Sequence, residues 1–259
     1  MSSPVKVRSA GRFAHAALIS GEAMVIAVFE RSVYVETPAG LACIGAVGNG
    51  PLNVQFDCLS RSLAVGDAMK VDVQDAEIWR PRRAPEWKAD PVLDALARLR
   101  ADAKHRLPSE GFGPLLDPAR ARSAPVKALM LWLAEPGHAL EDAAGLIGLG
   151  PGLTPSGDDF IGGALCALHA ARFETVAIRL AGWALPLARA ATSRISYAHL
   201  VCAAEGECGE AVNDAIVALL SGHAPDLDRI DAIGHTSGWD ALAGIALGLD
   251  AVLSRPRVT

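Results

Sequence analysis

Several features that mark large functional classes of proteins are missing from this sequence of 259 residues. Its formal net charge is −5, so it lacks the broad positive surface that sequence-independent nucleic-acid binding needs. Aromatic residues make up only 5% of the chain, which leaves few rings on which bases can stack. No run of about 18 apolar residues is present to cross a membrane, and Glu22 interrupts the N-terminal apolar stretch where a signal peptide would lie. We therefore expect a cytoplasmic protein that binds neither nucleic acid nor membrane.

Cysteine and histidine also lack the spacing of common metal and redox sites. The five cysteines are scattered and include no Cys-x-x-Cys pair: Cys43, Cys58, Cys166, Cys202 and Cys208. Reduced thiols are therefore expected rather than a disulfide framework or a thiolate zinc site, with Cys166 and Cys202 buried as small apolar residues. The histidines show no His-x-His or His-Glu-x-x-His spacing, and the lysine of a phosphate-binding P-loop is missing.

The order of patterns along the chain predicts an α+β protein, with a small N-terminal β barrel or curled sheet followed by a larger α-helical domain. Short alternating or apolar runs make residues 1–80 a predicted β-rich domain. The run Arg80-Pro81-Arg82-Arg83-Ala84-Pro85 lacks apolar periodicity, so residues 81–89 are predicted to be a linker. Its arginines form either a solvated connector or an anion patch. Helical periodicity then predicts that residues 90–259 form the α-helical domain that carries the site.

The segment with the strongest chemical signal joins two predicted helices and reads GLGPGLTPSGDDFIGG over residues 148–163. Glycines let backbone N–H groups approach a ligand, and a helix N-terminus adds unpaired donors with partial positive charge. The same stretch carries the hydroxyls of Thr154 and Ser156 and the carboxylates of Asp158 and Asp159. Such a set suits a small phosphate or carboxylate, with Mg²⁺ held between it and an aspartate. The alternative is that Ser156 or Asp158 only caps the helix.

A second segment, residues 234–244, repeats part of this pattern at the start of another predicted helix. Aligned with Ser156-Gly157-Asp158-Asp159, the tetrapeptide Ser237-Gly238-Trp239-Asp240 shares the serine, the glycine and the second aspartate, and Gly163 then falls on Gly244. Two such helix starts can converge on one ligand, unless the likeness is a coincidence of Ser-Gly caps. If they converge, Asp159 and Asp240 form a pair that shares a metal ion or divides the acid and base roles.

Between these segments lies the stretch TSRISYAH, residues 192–199. Arg194 suits bidentate binding of a carboxylate or phosphate, and His199 can move a proton. The alternatives are a surface ion pair for Arg194 and an ordinary interhelical position for His199. His235, inside the second turn, is a further candidate.

We therefore predict three overlapping sets of site residues. The candidates for catalysis are Asp158, Asp159, Asp240 and His235, and the candidate Mg²⁺ ligands are Asp159 and Asp240. The candidates for substrate binding are Gly150, Gly152, Thr154, Ser156, Gly157, Arg194, Thr236, Ser237 and Gly238.

The run GPGLTPSGDDF, residues 150–160, resembles the signature of a formerly uncharacterised bacterial family that includes the AllH-type subunit of oxamate carbamoyltransferase. The turn 234–238 and the stretch 192–196 are similar to further blocks of that family, and the N-terminal β region followed by Pro51-Leu52-Asn53-Val54 is compatible with it. The resemblance implies a multi-subunit enzyme of purine-nitrogen catabolism, in allantoin degradation, that converts oxalurate and phosphate to oxamate and carbamoyl phosphate. It assigns no catalytic roles, and the Ser-x-Arg-Thr-Arg phosphate motif of aspartate and ornithine transcarbamylases is missing here.

Three functions are compatible with these observations. In the first, a carbamoyltransferase subunit, the amides of residues 150–157 and Arg194 bind carbamoyl phosphate while the Thr236-Ser237 turn binds the oxamate carboxylate. The second is a non-catalytic anion-binding or scaffold subunit of such a complex, which predicts binding without turnover. The third is a stand-alone metal-dependent hydrolase of a ureido or amide compound, which predicts loss of activity on chelation.

Overall fold

The structure of the chain is a computed structural model that describes residues 5–56, 63–117, 119–120, 122–135 and 137–254. It divides the chain into two compact units. The first comprises Met1–Pro81 together with Glu207–Glu210, and the second comprises Arg82–Gly206 together with Ala211–Thr259. Cysteines 43, 166, 202 and 208 are free thiols, Cys166 and Cys202 are buried as predicted, and Cys58 lies outside the described residues.

The first unit is built on the curled sheet that the sequence predicts. Its described strands are β1 (Val5–Lys6), β2 (Ser9–Gly11), β3 (Glu22–Val28), β4 (Ser32–Thr37), β5 (Gly40–Gly45), β6 (Asn53–Gln55), β7 (Ala68–Asp72) and β8 (Glu77–Trp79). They lie side by side in the order β1-β7-β3-β4-β5-β6-β2-β8. The β3–β4–β5 part is an antiparallel meander, because short turns join consecutive strands there. Alternate aliphatic residues of these strands, among them Val25, Val35 and Ile44, form the core of this unit.

A short helix interrupts the β-rich region, where the sequence pattern predicted strands alone. Helix α1 (Arg12–Leu18) buries Ala14, Ala17 and Leu18, which are spaced three and four residues apart on one face. The carbonyl oxygen of Pro51 accepts hydrogen bonds from the backbone N–H groups of Phe13 and Ala14, so it satisfies donors that a helix start leaves open. Three small or aliphatic side chains are too weak a periodic signal to identify so short a helix from the sequence.

The second unit is helical, as predicted. Its described α-helices are α2 (Ala89–Ala103), α3 (Ala124–Ala134), α4 (Ser156–Ala170), α5 (Glu174–Ala191), α6 (Arg194–Ala204), α7 (Glu210–Leu220), α8 (Leu227–Asp231) and α9 (Ser237–Leu253). A 3₁₀ helix at Gly113–Leu116 lies between α2 and α3, and another at Glu141–Leu146 lies between α3 and α4. The sequence also shows helical periodicity at the second position. Across the described ranges, no helix combines the length and the apolar character that crossing a membrane requires.

The arginine-rich run between the predicted domains is held against α7. The backbone N–H of Arg82 donates to Oδ1 of Asn213 at 3.0 Å, and Nδ2 of Asn213 donates to the carbonyl oxygen of Arg82 at 3.1 Å. The Arg82 guanidinium also pairs with the carboxylate of Asp214. Arg82 therefore has protein partners in the second unit, although its side chain remains 67% exposed.

Helices α4 and α9 cross at two glycines that the sequence repeat aligns with each other. A Cβ atom on Gly163 would lie 2.1 Å from the carbonyl oxygen of Ala241, and one on Gly244 would lie 1.9 Å from the carbonyl oxygen of Phe160. Residues 160 and 241 are also an aligned pair, so the crossing is approximately two-fold symmetric. Glycine is required at both positions because the backbones touch there. The crossing fixes the starts of the two helices relative to each other.

Candidate functional site

The two glycine-containing turns lie at the starts of α4 and α9, and the side-chain hydroxyls of one turn contact those of the other. Oγ1 of Thr154 lies 3.2 Å from Oγ of Ser237, and Oγ of Ser156 lies 3.4 Å from Oγ1 of Thr236. Each pair joins a residue of the first turn to a residue of the second across about 80 positions of sequence. The structure thus brings together the four hydroxyls that the sequence singled out.

The glycine-rich loop before α4 folds back over the start of that helix. Gly148, Gly150 and Gly152 have φ angles of +71°, +120° and +90°, in the left-handed region that favours glycine. A Cβ atom on Gly150 would lie 2.8 Å from the backbone nitrogen of Ser156, so the loop passes directly over the first turn of the helix. Gly150 and Gly152 are both exposed, which leaves their backbone accessible to a ligand.

The approximate two-fold relation extends to the turns themselves. The backbone N–H of Gly157 donates to the carbonyl oxygen of Leu149 at 2.9 Å, and that of Gly238 donates to Ile233 at 3.3 Å. A Cβ atom on Gly157 would lie 1.9 Å from the carbonyl oxygen of Leu146, and one on Gly238 would lie 2.1 Å from that of Ile230. Both glycines are thus explained by backbone packing within their own turns. The repeated tetrapeptide is a repeated structure rather than a coincidence of caps.

Asp159 and Asp240 each place one carboxylate oxygen in the interior without a hydrogen-bond partner. Among the described residues, three buried side-chain oxygens lack a partner: Oδ2 of Asp159, Oδ2 of Asp240 and Oε2 of Glu207. Asp240 is fully buried, and its other oxygen, Oδ1, accepts a hydrogen bond from the backbone N–H of Phe112. Buried acceptors are normally satisfied, so two unsatisfied carboxylates at one place indicate a position for a ligand.

Burial changes the acid–base behaviour of this carboxyl pair. It raises the pKa of Asp159 to about 8, against a hydrogen bond from Ser237 that lowers it, and the nearby Asp240 and Asp158 add to the rise. Burial also raises the pKa of Asp240, opposed by the Phe112 amide and by the hydroxyls of Ser156 and Thr236. The arrangement is crossed, because a serine of each helix acts on the aspartate of the other. At neutral pH the Asp159 carboxyl is therefore largely protonated and can donate a hydrogen bond.

Asp158, which the sequence grouped with the catalytic candidates, is occupied by the protein itself. Its Oδ1 accepts from the backbone N–H of Gly148 at 2.8 Å. Its Oδ2 accepts from Oγ of Ser196 at 2.7 Å and from Oγ1 of Thr192. This buried carboxylate ties the glycine-rich loop to the end of α5 and the first turn of α6.

Replacing Asp158 by alanine is expected to lower the free energy of unfolding by about 3 kcal/mol, because three donors lose their acceptor inside the protein. Urea unfolding of the variant measures this loss. The control is Asp94→Ala on the exposed face of α2, where little change is expected. Equal stability of the two variants would show that Asp158 does not hold the loop.

Comparison with known proteins bears on this same part of the chain. Residues 146–249 match the family model of the oxamate carbamoyltransferase subunit AllH. The match confirms the resemblance that the sequence motifs carry. No curated protein and no solved structure shows a significant match to the chain. The segment similar to AllH contains both turns, both unsatisfied aspartates and all the other predicted site residues.

Two candidates of the AllH-like segment lie at exposed positions beside the buried cluster. Arg194 is the exposed first residue of α6, and the preceding Ser193 connects to the glycine-rich loop by donating its hydroxyl to the carbonyl oxygen of Leu153. His235 is exposed next to Thr236. His199 lies in α6, where burial lowers its pKa to about 4, so this imidazole is neutral at physiological pH.

A contact that the sequence did not suggest comes from outside the AllH-like segment. Gly111 and Phe112 lie against Asp240, and a Cβ atom on Gly111 would lie 2.3 Å from its Oδ1. The pair of glycines around an aromatic residue in Gly111-Phe112-Gly113 is the only local signal, and it does not indicate the distant partner. Thr192 and Ser196, which donate to Asp158, also carry no signal of their role in the sequence, although both lie in the stretch 192–199.

Within the described parts of the chain, no group of three or more histidine, cysteine, aspartate or glutamate side chains is placed to hold a metal ion. Mg²⁺ commonly uses only one or two carboxylates, with substrate oxygens and water completing its coordination. The chemistry of the donor set at Asp159 and Asp240 is compatible with that pattern.

Proposed function

We propose that this chain is a subunit of a cytoplasmic carbamoyltransferase of purine-nitrogen catabolism, acting on oxamate or oxalurate and carbamoyl phosphate. We further propose that the starts of α4 and α9 bind one of these small anions. The proposal is supported by the similarity of residues 146–249 to the oxamate carbamoyltransferase subunit AllH. The observation that carries the site is the meeting of four hydroxyls with two buried, unsatisfied carboxyl oxygens.

Helix starts and hydroxyls supply the donors that an oxyanion needs. No side chain caps α4 or α9, so the positive ends of their dipoles are not neutralised by a side chain. The N–H groups of Gly157 and Gly238 are already bound to backbone carbonyl oxygens, so the hydroxyls are the main donors left for a ligand. Thr154, Ser156, Thr236 and Ser237 add four hydroxyls that can turn towards a phosphate or carboxylate oxygen. Because the raised pKa of Asp159 leaves it largely protonated at neutral pH, it adds a donor rather than a repelling charge.

The reaction proposed for the complex places two demands on such a site. In the direction of carbamoyl transfer to oxamate, which is the reverse of the catabolic direction, the amide nitrogen of oxamate attacks the carbonyl carbon of carbamoyl phosphate. A C–N bond forms, the C–O bond to phosphate breaks, and oxalurate and phosphate are the products. Preorganised donors stabilise the charge on the departing phosphate. The nitrogen must lose a proton, which Asp240 in its ionised form accepts, since its Oδ2 has no other partner.

Mg²⁺ is a candidate ligand of the same site. Asp240 and Asp159, the latter after losing its proton, would hold it together with oxygens of the substrate, and it would supply positive charge next to the phosphate. Calorimetric titration with Mg²⁺ alone and with carbamoyl phosphate present tests this separately from anion binding.

Isothermal titration of the chain with oxamate, carbamoyl phosphate and inorganic phosphate tests the anion site. Thr236→Val removes one hydroxyl at nearly constant volume and is expected to weaken binding about tenfold, the loss of one hydrogen bond to a charged group. Thr175→Val, at an exposed position of α5, is the matched control and is expected to bind as the wild type does.

Two outcomes would change the proposal. If the wild-type chain binds none of the three anions, the anion site is wrong. If it binds them, but a complex reconstituted with Asp159→Asn turns over at the normal rate, the chain is a non-catalytic binding subunit and the reacting groups belong to its partner subunits.

A further inference from the structure

We propose that residues Gly111–Gly113 are a positioning element of the ligand site, because they orient Asp240 through the main chain and the Asp159 end of α4 through the ring of Phe112. The inference rests on the proposed function, since it concerns the same site. These residues lie outside the segment 146–249 that is similar to AllH. They therefore extend the candidate site to a part of the chain that the family match does not cover.

The main chain of residues 111–112 holds the carboxylate of Asp240. The backbone N–H of Phe112 donates to its Oδ1, and this side chain is fully buried. Gly111 has a φ angle of +71°, and a Cβ atom there would lie 2.3 Å from the same oxygen. The main chain thus approaches Asp240 so closely that only glycine fits at position 111. With Oδ1 held by an amide, Oδ2 is the oxygen left for a ligand.

The ring of Phe112 contacts the other half of the site. The ring of Phe112 stacks on that of Phe160 with centroids 4.9 Å apart and planes at 29°. Phe160 directly follows Asp159 in α4 and is fully buried. One residue of this segment therefore contacts the aspartate of α9 by its amide and the neighbour of the α4 aspartate by its ring.

The segment Gly111–Gly113 is itself held in place by neighbouring side chains. A Cβ atom on Gly113 would lie 2.9 Å from Cβ of Trp239 and 2.9 Å from Cγ of Pro108. Trp239 precedes Asp240, and its Nε1 donates to Oδ1 of Asp231 at 2.8 Å. The segment is thus packed tightly against the first turn of α9, so a displacement at position 111 is transmitted to Asp240.

The substitution Gly111→Ala tests this inference, with Gly21→Ala as its matched control. Both glycines have similar positive φ angles, +71° and +80°, so both variants carry similar backbone strain. At Gly21 the nearest atom to a new Cβ would be 3.7 Å away, which is an ordinary contact. Only Gly111→Ala is therefore expected to move Asp240.

The affinities of the two variants for oxamate, carbamoyl phosphate and phosphate are measured by titration calorimetry. The melting temperature of each variant is also measured, to verify that the two substitutions destabilise the fold to a similar extent. We expect Gly111→Ala to weaken binding at least tenfold and Gly21→Ala to leave it unchanged. Phe112→Leu, which keeps the amide donor but removes the stacked ring, is expected to weaken binding severalfold and serves if Gly111→Ala does not fold. A second readout is the amide resonance of Phe112, which is expected to shift when the bound anion is added.

The outcomes separate the two proposals. If the wild-type chain binds an anion and both Gly111→Ala and Phe112→Leu bind it as tightly, the positioning element is wrong while the site stands. If the wild-type chain binds none of these anions, the proposed function fails and this inference fails with it.

Discussion

Replacing Asp159 by asparagine is expected to stabilise the protein at neutral pH. In the same variant it is expected to abolish turnover of the reconstituted complex, because an amide can neither exchange a proton nor bind Mg²⁺ as a carboxylate does. Burial raises the pKa of this carboxyl to about 8 in the folded chain, from the ordinary value of 3.8. Between these two pH values the folded state binds more protons than the unfolded state, so the free energy of unfolding falls as pH rises. Asparagine has a similar shape and can still accept a hydrogen bond from Ser237, but it carries no charge to desolvate.

The size of the stabilisation and its pH dependence can both be measured. At pH 7 we expect a gain on the order of 2 kcal/mol, which is less than the full pKa shift gives because the residue is partly exposed. Urea unfolding from pH 5 to pH 9 should show a difference between variant and wild type that grows up to about pH 8 and is constant above it. Asp94→Asn, at an exposed position, is the control. A difference that does not depend on pH would show that the Asp159 carboxyl is not desolvated.

A buried carboxyl that lowers stability at neutral pH needs a reason to be present. Residues of binding and catalytic sites often have this property, because the geometry that a ligand needs is not the most stable one for the free protein. Gain of stability together with loss of turnover would identify Asp159 as such a residue.

The fold class and the likeness of the two turns could be predicted from the sequence because both depend on local patterns. The convergence of the turns was only one of two alternatives, since it depends on how α4 and α9 pack. Alternating aliphatic residues predict the sheet, and helical periodicity after the linker predicts the helical unit. The repeated Ser-Gly-x-Asp tetrapeptide predicts two similar helix starts. Their glycines Gly163 and Gly244 also align, which is consistent with a symmetric crossing.

The different roles of Asp158 and Asp159 could not be predicted from the sequence. Adjacent residues of an α-helix point about 100° apart, so they face different neighbours. Asp158 faces Gly148 and Ser196, whereas Asp159 lies close to Ser237 and Asp240. Which direction leads to the site depends on how α4 packs, and nothing in the motif itself contains that information.

The contact between Phe112 and Asp240 was beyond sequence analysis for another reason. The two residues are separated by 128 positions, and the donor is a backbone N–H, which almost every residue type has. Only Gly111, with its positive φ angle, carries a signal, and a glycine in a loop has many possible causes.

A large loss of stability is expected for a single methyl group at the crossing of α4 and α9. Gly163→Ala and Gly244→Ala each place a Cβ atom about 2 Å from a backbone carbonyl oxygen, where no flexible side chain can yield. The helices must separate, and we expect each substitution to lower the free energy of unfolding by about 3 kcal/mol, as overpacking does. Anion binding should be lost in both variants, because the crossing fixes the distance between the two helix starts.

The matched control for these variants is Gly182→Ala. Gly182 is exposed inside α5, and a Cβ atom there would have nothing within 4 Å. Since alanine favours the helical conformation over glycine by roughly 0.5–1 kcal/mol, this variant is expected to be more stable than the wild type. Thermal unfolding is therefore expected to show a lower melting temperature for Gly163→Ala and Gly244→Ala and a higher one for Gly182→Ala, although the substitution is the same in all three. If Gly163→Ala or Gly244→Ala were as stable as Gly182→Ala, the two helices would not be in backbone contact, and the hydroxyls of the two turns would have no reason to meet.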